Sequence, residues 1–316
     1  MQPGARRAKD GTTLVRTIVK SPSHTLTRQF NAIPRHLRGM LLMLISTISI
    51  VGMNVTIRQV AADIHIFEIA LFRNVFAALI FLPVLFRTEA NPFRTRKFGL
   101  LTFRAILNTV AMLTFFYALT LIPLTDVTAL TFTTPLFASL LAIVFLNEPM
   151  SGRRRTGLVI GLLGALIILR PGVQDIGLGS VLVLVSSATW ACALMCIKVL
   201  TRTESAVTIA LYAALMQVPF AFVASLFFWV WPSWAELGLL AIIGGLGGFA
   251  QLCLSQAFRD ADTTLVLPID FTKLIWAGLA GFLLFREIPD IWTIVGAVVV
   301  FGAVFYMALQ ERRKPD

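Results

Sequence analysis

The chain has 316 residues, 57% of them hydrophobic and only 14% charged, with a mean hydropathy of +0.84. A soluble domain carries about 25% charged residues, so this composition excludes an ordinary soluble enzyme and points to an all-α, polytopic membrane protein. The net charge of +11 does not signal nucleic acid, because the basic residues cluster between apolar segments and at the termini, with no nucleic-acid-binding motif.

Residues 1–38 are polar and basic, with Arg6, Arg7, Lys9, Arg16, Lys20, Arg28, Arg35 and Arg38 against the single acid Asp10. Such a segment cannot bury enough apolar surface to fold, and reads as a cytoplasmic tail. It is too long before the first apolar run for a signal peptide, and no small-residue cleavage site follows that run. A transit peptide or a start codon placed upstream are the alternatives.

Ten apolar segments follow, at 39–57, 67–86, 100–121, 126–146, 156–170, 178–199, 205–230, 236–257, 263–285 and 290–309, with a second short tail at 310–316. Each is read as a transmembrane helix; the fifth is the shortest. Basic residues give the orientation. One side receives the N-terminal tail, then Arg87, Arg94, Arg96 and Lys97, then Arg153, Arg154 and Arg155, then Lys198, Arg202, Arg259, Arg312, Arg313 and Lys314. The other receives only Arg58, Arg170 and Arg286. Positive residues stay inside, so both termini are expected in the cytoplasm and the chain in an inner membrane.

A shift of 139 residues lays the second half on the first: Ala118 on Ala257, Thr125 on Thr264, Phe132 on Phe271, Thr133 on Thr272, Glu148 on Glu287, Gly157 on Gly296. At a shift of 140, Ile69, Ala70 and Leu71 fall on Ile209, Ala210 and Leu211. The units are therefore 39–172 and 178–309, five helices each. Five is odd, so the second unit enters the membrane from the opposite face. Two inverted five-helix repeats of this kind suit a secondary transporter, whose halves exchange conformations around a site near the midplane.

The stretch 116–172, FYALTLIPLTDVTALTFTTPLFASLLAIVFLNEPMSGRRRTGLVIGLLGALIILRPG, carries a Tyr-Ala-Leu turn, a mid-helix proline, a glutamate after the fourth helix and a glycine-rich fifth helix. With its second copy at 257–289 and with FEIALFRNVFAALIFLPVLF at 67–86, it resembles the EamA-type motif of the drug/metabolite transporter superfamily. The resemblance covers the chain beyond residue 38 and implies ten helices, a central cavity and alternating access. Within the family the chain is similar to bacterial members that take up S-adenosylmethionine or riboflavin. Asp270-x-x-Lys273 is less typical of the family than the rest.

Charges inside apolar segments are the candidate site, since each costs several kcal/mol (about 3) unless it faces a partner or a wet cavity. Asp270 and Lys273 share one helix face. They are read as a static ion pair, as a clamp for the charged ends of a zwitterion, or as a protonation switch. Arg104 and Asn108, one turn apart in the third segment, suit a carboxylate, phosphate or carbonyl, unless Arg104 snorkels to the interface. Glu68 and Arg73 in the second segment are about 140° apart around the helix and should not pair. Glu68 is either a gating or proton-coupling carboxylate or an interfacial acid at a helix start; Arg73 is either a structural ion pair or a substrate contact. Tyr117, Trp190, Tyr212 and Trp276 offer rings for stacking, or serve packing. Pro135 and Pro268 should interrupt the fourth and ninth helices near the midplane. Gly157, Gly161 and Gly164 make a small-residue packing face, and the glycines of 244–248 permit close approach or bending.

Cys192, Cys196 and Cys253 lie in apolar segments without metal spacing, and His24, His36 and His65 lie outside them. No catalytic constellation, nucleotide loop, cofactor or metal motif is present. The sequence thus reads as a secondary transporter, not an enzyme, moving a small polar or zwitterionic metabolite through the lipid bilayer. A coupling proton or exchange substrate would drive it. An exporter of lipophilic cations is the first alternative, disfavoured by Arg73, Arg104 and Lys273; a membrane-embedded enzyme or scaffold is the second.

Overall fold

The computed structural model describes residues 34–85, 95, 97–146, 152–170, 177–200, 203–204, 206–261, 266 and 269–311. Every regular element among them is helical. In hydrocarbon each backbone N–H and C=O must be satisfied within the segment, and helices achieve this without partners. In chain order they are α1 (Arg35–Val60), α2 (Ile66–Leu85), α3 (Phe98–Leu121), α4a (Leu124–Thr131), α4b (Thr134–Leu146), α5 (Gly152–Leu169) and α6 (Leu178–Leu200). Then come α7 (Ala206–Ser225) with a 3₁₀ turn (Leu226–Phe228), α8 (Trp234–Asp260), α9 (Thr272–Phe285) and α10 (Ile291–Glu311). Among the described residues, the stretches Arg35–Val60, Phe98–Leu121, Leu124–Leu141, Leu178–Ile197 and Trp234–Leu254 are long and apolar enough to cross a membrane. Glu148 and Pro268 lie outside the described residues.

Lipid is as apolar as leucine, so these helices associate through close packing and interhelical hydrogen bonds. The main pairs are α1 with α8, α3 with α6 and α5 with α10, and α2 packs on both α7 and α8. Small residues set the approach. A Cβ on Gly39 of α1 would lie 3.0 Å from the Ala257 carbonyl oxygen and against Ala261. Further along α1, Ser46 donates a hydrogen bond to the Ala250 carbonyl at 2.9 Å. Numbers rise on α1 as they fall on α8, so the two helices run antiparallel. On α3 and α6 the same arrangement recurs: Gly179 lies against Ile122, and Ser186 donates to the Ala111 carbonyl at 2.7 Å. In the α5–α10 pair, Gly157 faces Met307 and Gly164 faces Val300 and Gly296, again antiparallel, while Gly161 receives Leu136 of α4b. This is the close packing expected of Gly157, Gly161 and Gly164.

Ion pairs join the helix ends. Arg38 of α1 binds Asp260 of α8 through two hydrogen bonds, 2.6 and 2.9 Å. Burial alone would raise the Asp260 pKa; hydrogen bonds from Arg38 and Gln256 and the nearby arginines outweigh it and hold the carboxyl below the usual range. At the opposite end Arg58 of α1 meets Glu287, after α9, at 2.5 Å. Glu287 also accepts a hydrogen bond from the Leu124 backbone N–H at the start of α4a, 3.0 Å away. One carboxylate thus ties α1, α4a and α9. Arg170 pairs with Asp290 at the same end, and Thr293 of α10 donates to Asp126 of α4a at 2.7 Å. Trp231 and Trp234 are exposed there, as interfacial aromatics are.

Candidate functional site

Two helix interruptions face one another. The fourth apolar segment breaks at Phe132 and Thr133, between α4a and α4b. Pro135 has no N–H, so the carbonyl one turn back cannot be satisfied in α-helical geometry. The chain tightens there: Phe132 N–H donates to the Ala129 carbonyl (3.2 Å) and Thr133 N–H to that of Leu130 (3.0 Å). The Thr133 hydroxyl also donates to Leu130, at 2.7 Å. The ninth segment turns at Phe271, immediately before α9, and the Thr272 hydroxyl donates to the Ile269 carbonyl at 2.7 Å. The Phe132 and Phe271 rings stack across the gap with centroids 3.9 Å apart and planes 13° from parallel. Phe301 of α10 continues the cluster, 3.8 Å from Phe271.

Asp270 and Lys273 flank this turn. Their ion pair closes at 2.6 Å, with the side chains 22% and 21% exposed. Asp270 lines a cavity of about 40 Å³ with Phe132, Pro135, Phe271, Phe301, Val304 and Phe305. That is room for a few water molecules at most, since one needs about 10–15 Å³ of such space. A larger groove of about 620 Å³ lies away from these charges, between 61–65 and 226–230. On α1, the Thr47 hydroxyl reaches that of Thr272 at 3.1 Å. Trp276 Nε1, one turn beyond, is buried without a hydrogen-bond partner.

The second group lies on α3. Leu101, Arg104, Ala105, Asn108 and Met112 recur at helical spacing and are all buried. Arg104 is 6% exposed, so it is packed within the bundle rather than extended into water. The Oδ1 atoms of Asn108 and of Asn54 on α1 are buried and unpartnered. Arg73 of α2 reaches the same face of α3: its Nη1 donates to Met112 Sδ at 3.2 Å and to Asn74 Oδ1 at 3.3 Å.

Trp190 is 40% exposed and lies at helical spacing from Val183 and Ser187 of α6, both buried. Tyr117 sits with Phe103, Ile106, Val110 and Leu121 on the exposed strip of α3, opposite Arg104 and Asn108. Glu68 is fully buried at the start of α2 and accepts a hydrogen bond from Val230 N–H at 3.1 Å, anchoring the segment after α7. The fold therefore brings Asp270 and Lys273 together, and aligns Arg104, Asn108 and Arg73 along one interior face. It sets Glu68 and Tyr117 apart from both groups. Sequence reasoning followed charge and aromatic rings and so passed over Thr47, Asn54, Met112 and Ser187. Isolated polar residues within apolar helices were the available signal.

The sequence signature of the EamA-like transporter family matches residues 37–170 and again 177–309. An S-adenosylmethionine uptake transporter of Rickettsia felis is 28% identical over 283 residues, covering 90% of this chain and 96% of its own. A riboflavin transporter of Brucella anthropi is 30% identical over 249 residues, covering 77% and 88%. A pseudopaline exporter of Pseudomonas aeruginosa is 27% identical over 281 residues, covering 87% and 97%. A solved crystal structure aligns with a TM-score of 0.59 at 14% identity, over 87% of this chain and 98% of its own.

Proposed function

Since this chain belongs to the EamA-like transporter family, a family of multi-pass membrane transporters of small molecules rather than enzymes, we propose that it is a secondary transporter working by alternating access. Its cargo is a small polar or zwitterionic metabolite. It spans the inner membrane ten times as two inverted repeats, 39–172 and 178–309, with both termini in the cytoplasm.

The observation that carries this reading is that the interior contacts come in pairs which a shift of 139 or 140 residues interchanges. Ser46 to Ala250 becomes Ser186 to Ala111. Gly39 against Ala261 becomes Gly179 against Ile122, and Gly157 against Met307 becomes Gly296 against Ile168. The Thr133–Leu130 bond becomes Thr272–Ile269, and Phe132 and Phe271 stack on each other. The antiparallel run of α5 and α10, equivalent helices, supports inversion. One pair is unequal. Thr47 bonds Thr272, while its counterpart Ser187 has a buried, unpartnered hydroxyl. Two halves held differently around a shared axis are what alternating access requires.

Asp270, Lys273, Arg104, Asn108 and Arg73 form the substrate path in this reading, with Trp190 at its border. Glu68 acts as a structural anchor of the outer end, and Tyr117 faces lipid. Asp270 and Lys273 act as a switch that substrate binding opens, and a coupling proton or exchange of one metabolite for another drives the cycle. Three intramembrane cations disfavour a lipophilic-cation exporter.

Purified protein in liposomes should move labelled S-adenosylmethionine, an amino acid or riboflavin. Transport should fall at least about tenfold in Lys273→Ala and Arg104→Ala, a loss of about 1.4 kcal/mol. Normal transport by folded variants removes those residues from the path. No net movement of any panel member by the parent protein sinks the transporter reading for that panel. Loading substrate inside or outside the vesicles reads the direction.

A further inference from the structure

We infer that Arg73 is the anion-binding group of this transporter and that its substrate carries a carboxylate, an inference that rests on the transport reading. Arg73 lies on α2, about 10 Å along the helix from its first residue, too deep for the side chain to be interfacial while it points at α3. Its guanidinium crosses the interior face of α8 at Gly247. A Cβ there would stand 3.4 Å from Arg73 Nε and 2.9 Å from Met53 Sδ of α1. One turn earlier, a Cβ on Gly244 would lie 3.1 Å from the Arg73 carbonyl oxygen and against Phe76. The two glycines therefore let α2 approach α8 closely and leave an opening for the side chain. In the other half, the repeat equivalent of Gly247 is Asn108.

The charge so admitted is uncompensated. Arg38, Arg58, Arg170 and Lys273 each pair with a carboxylate. Arg73 has no carboxylate partner among the described residues. Its Nη1 reaches only a thioether sulfur and the amide oxygen of its neighbour, and its Nε is buried and unpartnered. A guanidinium stays protonated at any physiological pH, so the partial burial of Arg73 cannot be relieved by losing the proton. Weak acceptors around five fixed donors are the arrangement of a site awaiting an anion. The fork of Nε and Nη2 matches a carboxylate bidentately. The depth of Arg73 near Met112, about 12 Å along α3 from Arg104, would set the carboxylate end of an elongated metabolite. The inference separates the substrates named for related proteins: S-adenosylmethionine has a carboxylate and riboflavin has none.

The test compares ligands that differ only in that group. Thermal shifts of full-length protein in detergent, at fixed chloride, are measured with S-adenosylmethionine against its decarboxylated counterpart, methionine against methioninamide, and riboflavin. The parent protein should bind the carboxylate member of at least one pair about tenfold or more tightly. Arg73→Gln should bring that ratio near one, with affinity for the carboxylate-free, cationic member unchanged or slightly higher, and Arg73→Lys should retain a reduced preference. A full preference in Arg73→Gln overturns the inference. If Arg73→Gln does not fold, an unreduced preference in Arg73→Lys overturns it, because an ammonium lacks the planar fork. Binding of riboflavin with no preference in either pair overturns it as well. Liposome counterflow of the bound ligand keeps the two readings apart. Arg73-dependent binding without translocation supports the anion site and sinks transport; translocation with Arg73-independent preference sinks the site alone.

Discussion

Asp270 and Lys273 are held 2.6 Å apart beside the turn at Phe271, and the energetics of that pair differ from those of a surface bridge. Removing one partner leaves a charge in a low-dielectric interior, a cost of about 3–5 kcal/mol, whereas replacing both by apolar groups can be neutral. Asp270→Asn and Lys273→Met should each lower the melting temperature markedly in detergent, and the double variant should recover most of the loss. Transport should remain absent in the double variant if the pair handles substrate or proton. A double variant that is stable and transports normally would reduce the pair to packing. Lys273 and Asp270 were legible from sequence because charge within an apolar run has few explanations. The isolation of Arg73 was not, because whether a half-buried cation has a partner depends on which helices meet.

Helix contacts test the glycines one by one. Gly164 of α5 lies where a Cβ would stand 2.8 Å from the backbone nitrogen of Val300, which cannot rotate away. Gly302 of α10 has no atom within 4 Å of its would-be Cβ. Gly164→Ala should therefore destabilise by about 1–3 kcal/mol through forced separation of α5 and α10. Gly302→Ala should be neutral or stabilising by up to about 1 kcal/mol, since alanine restricts the unfolded chain and favours the helix. Equal melting temperatures for the two variants would contradict the α5–α10 interface. The glycine-rich face was readable from spacing. The helix it would meet was not, because spacing on one helix is silent about its neighbour. The break at Phe132 and Thr133 was foreshadowed by Pro135, just beyond it, because the missing N–H disturbs the preceding turn.

At the scale of the molecule, the knot of Arg58, Glu287 and the Leu124 N–H binds α1, α4a and α9 at one end. Thr125, 2% exposed, lies just inside it. Loosening the knot should open that end. In a background with Cys192, Cys196 and Cys253 replaced, a cysteine introduced by Thr125→Cys should react slowly with a bulky polar maleimide in detergent. Adding Glu287→Gln should speed the reaction by about tenfold, equivalent to about 1.4 kcal/mol of shift toward the open form. An unchanged rate would mean that packing alone closes this end.

The sequence by itself determined that this protein is a helical membrane protein, and with its repeated motif it pointed to the transporter family. Hydropathy, charge bias and internal repeats are properties of the chain and need no coordinates. The tertiary structure decided which polar groups share an interior. It joined Glu287 to Arg58, set Phe132 on Phe271 and carried Arg73 past Gly247, while leaving Glu68 as an anchor for the segment after α7. Those outcomes follow from helix rotation and crossing, which are fixed by close packing between segments far apart in sequence, and no local pattern encodes them.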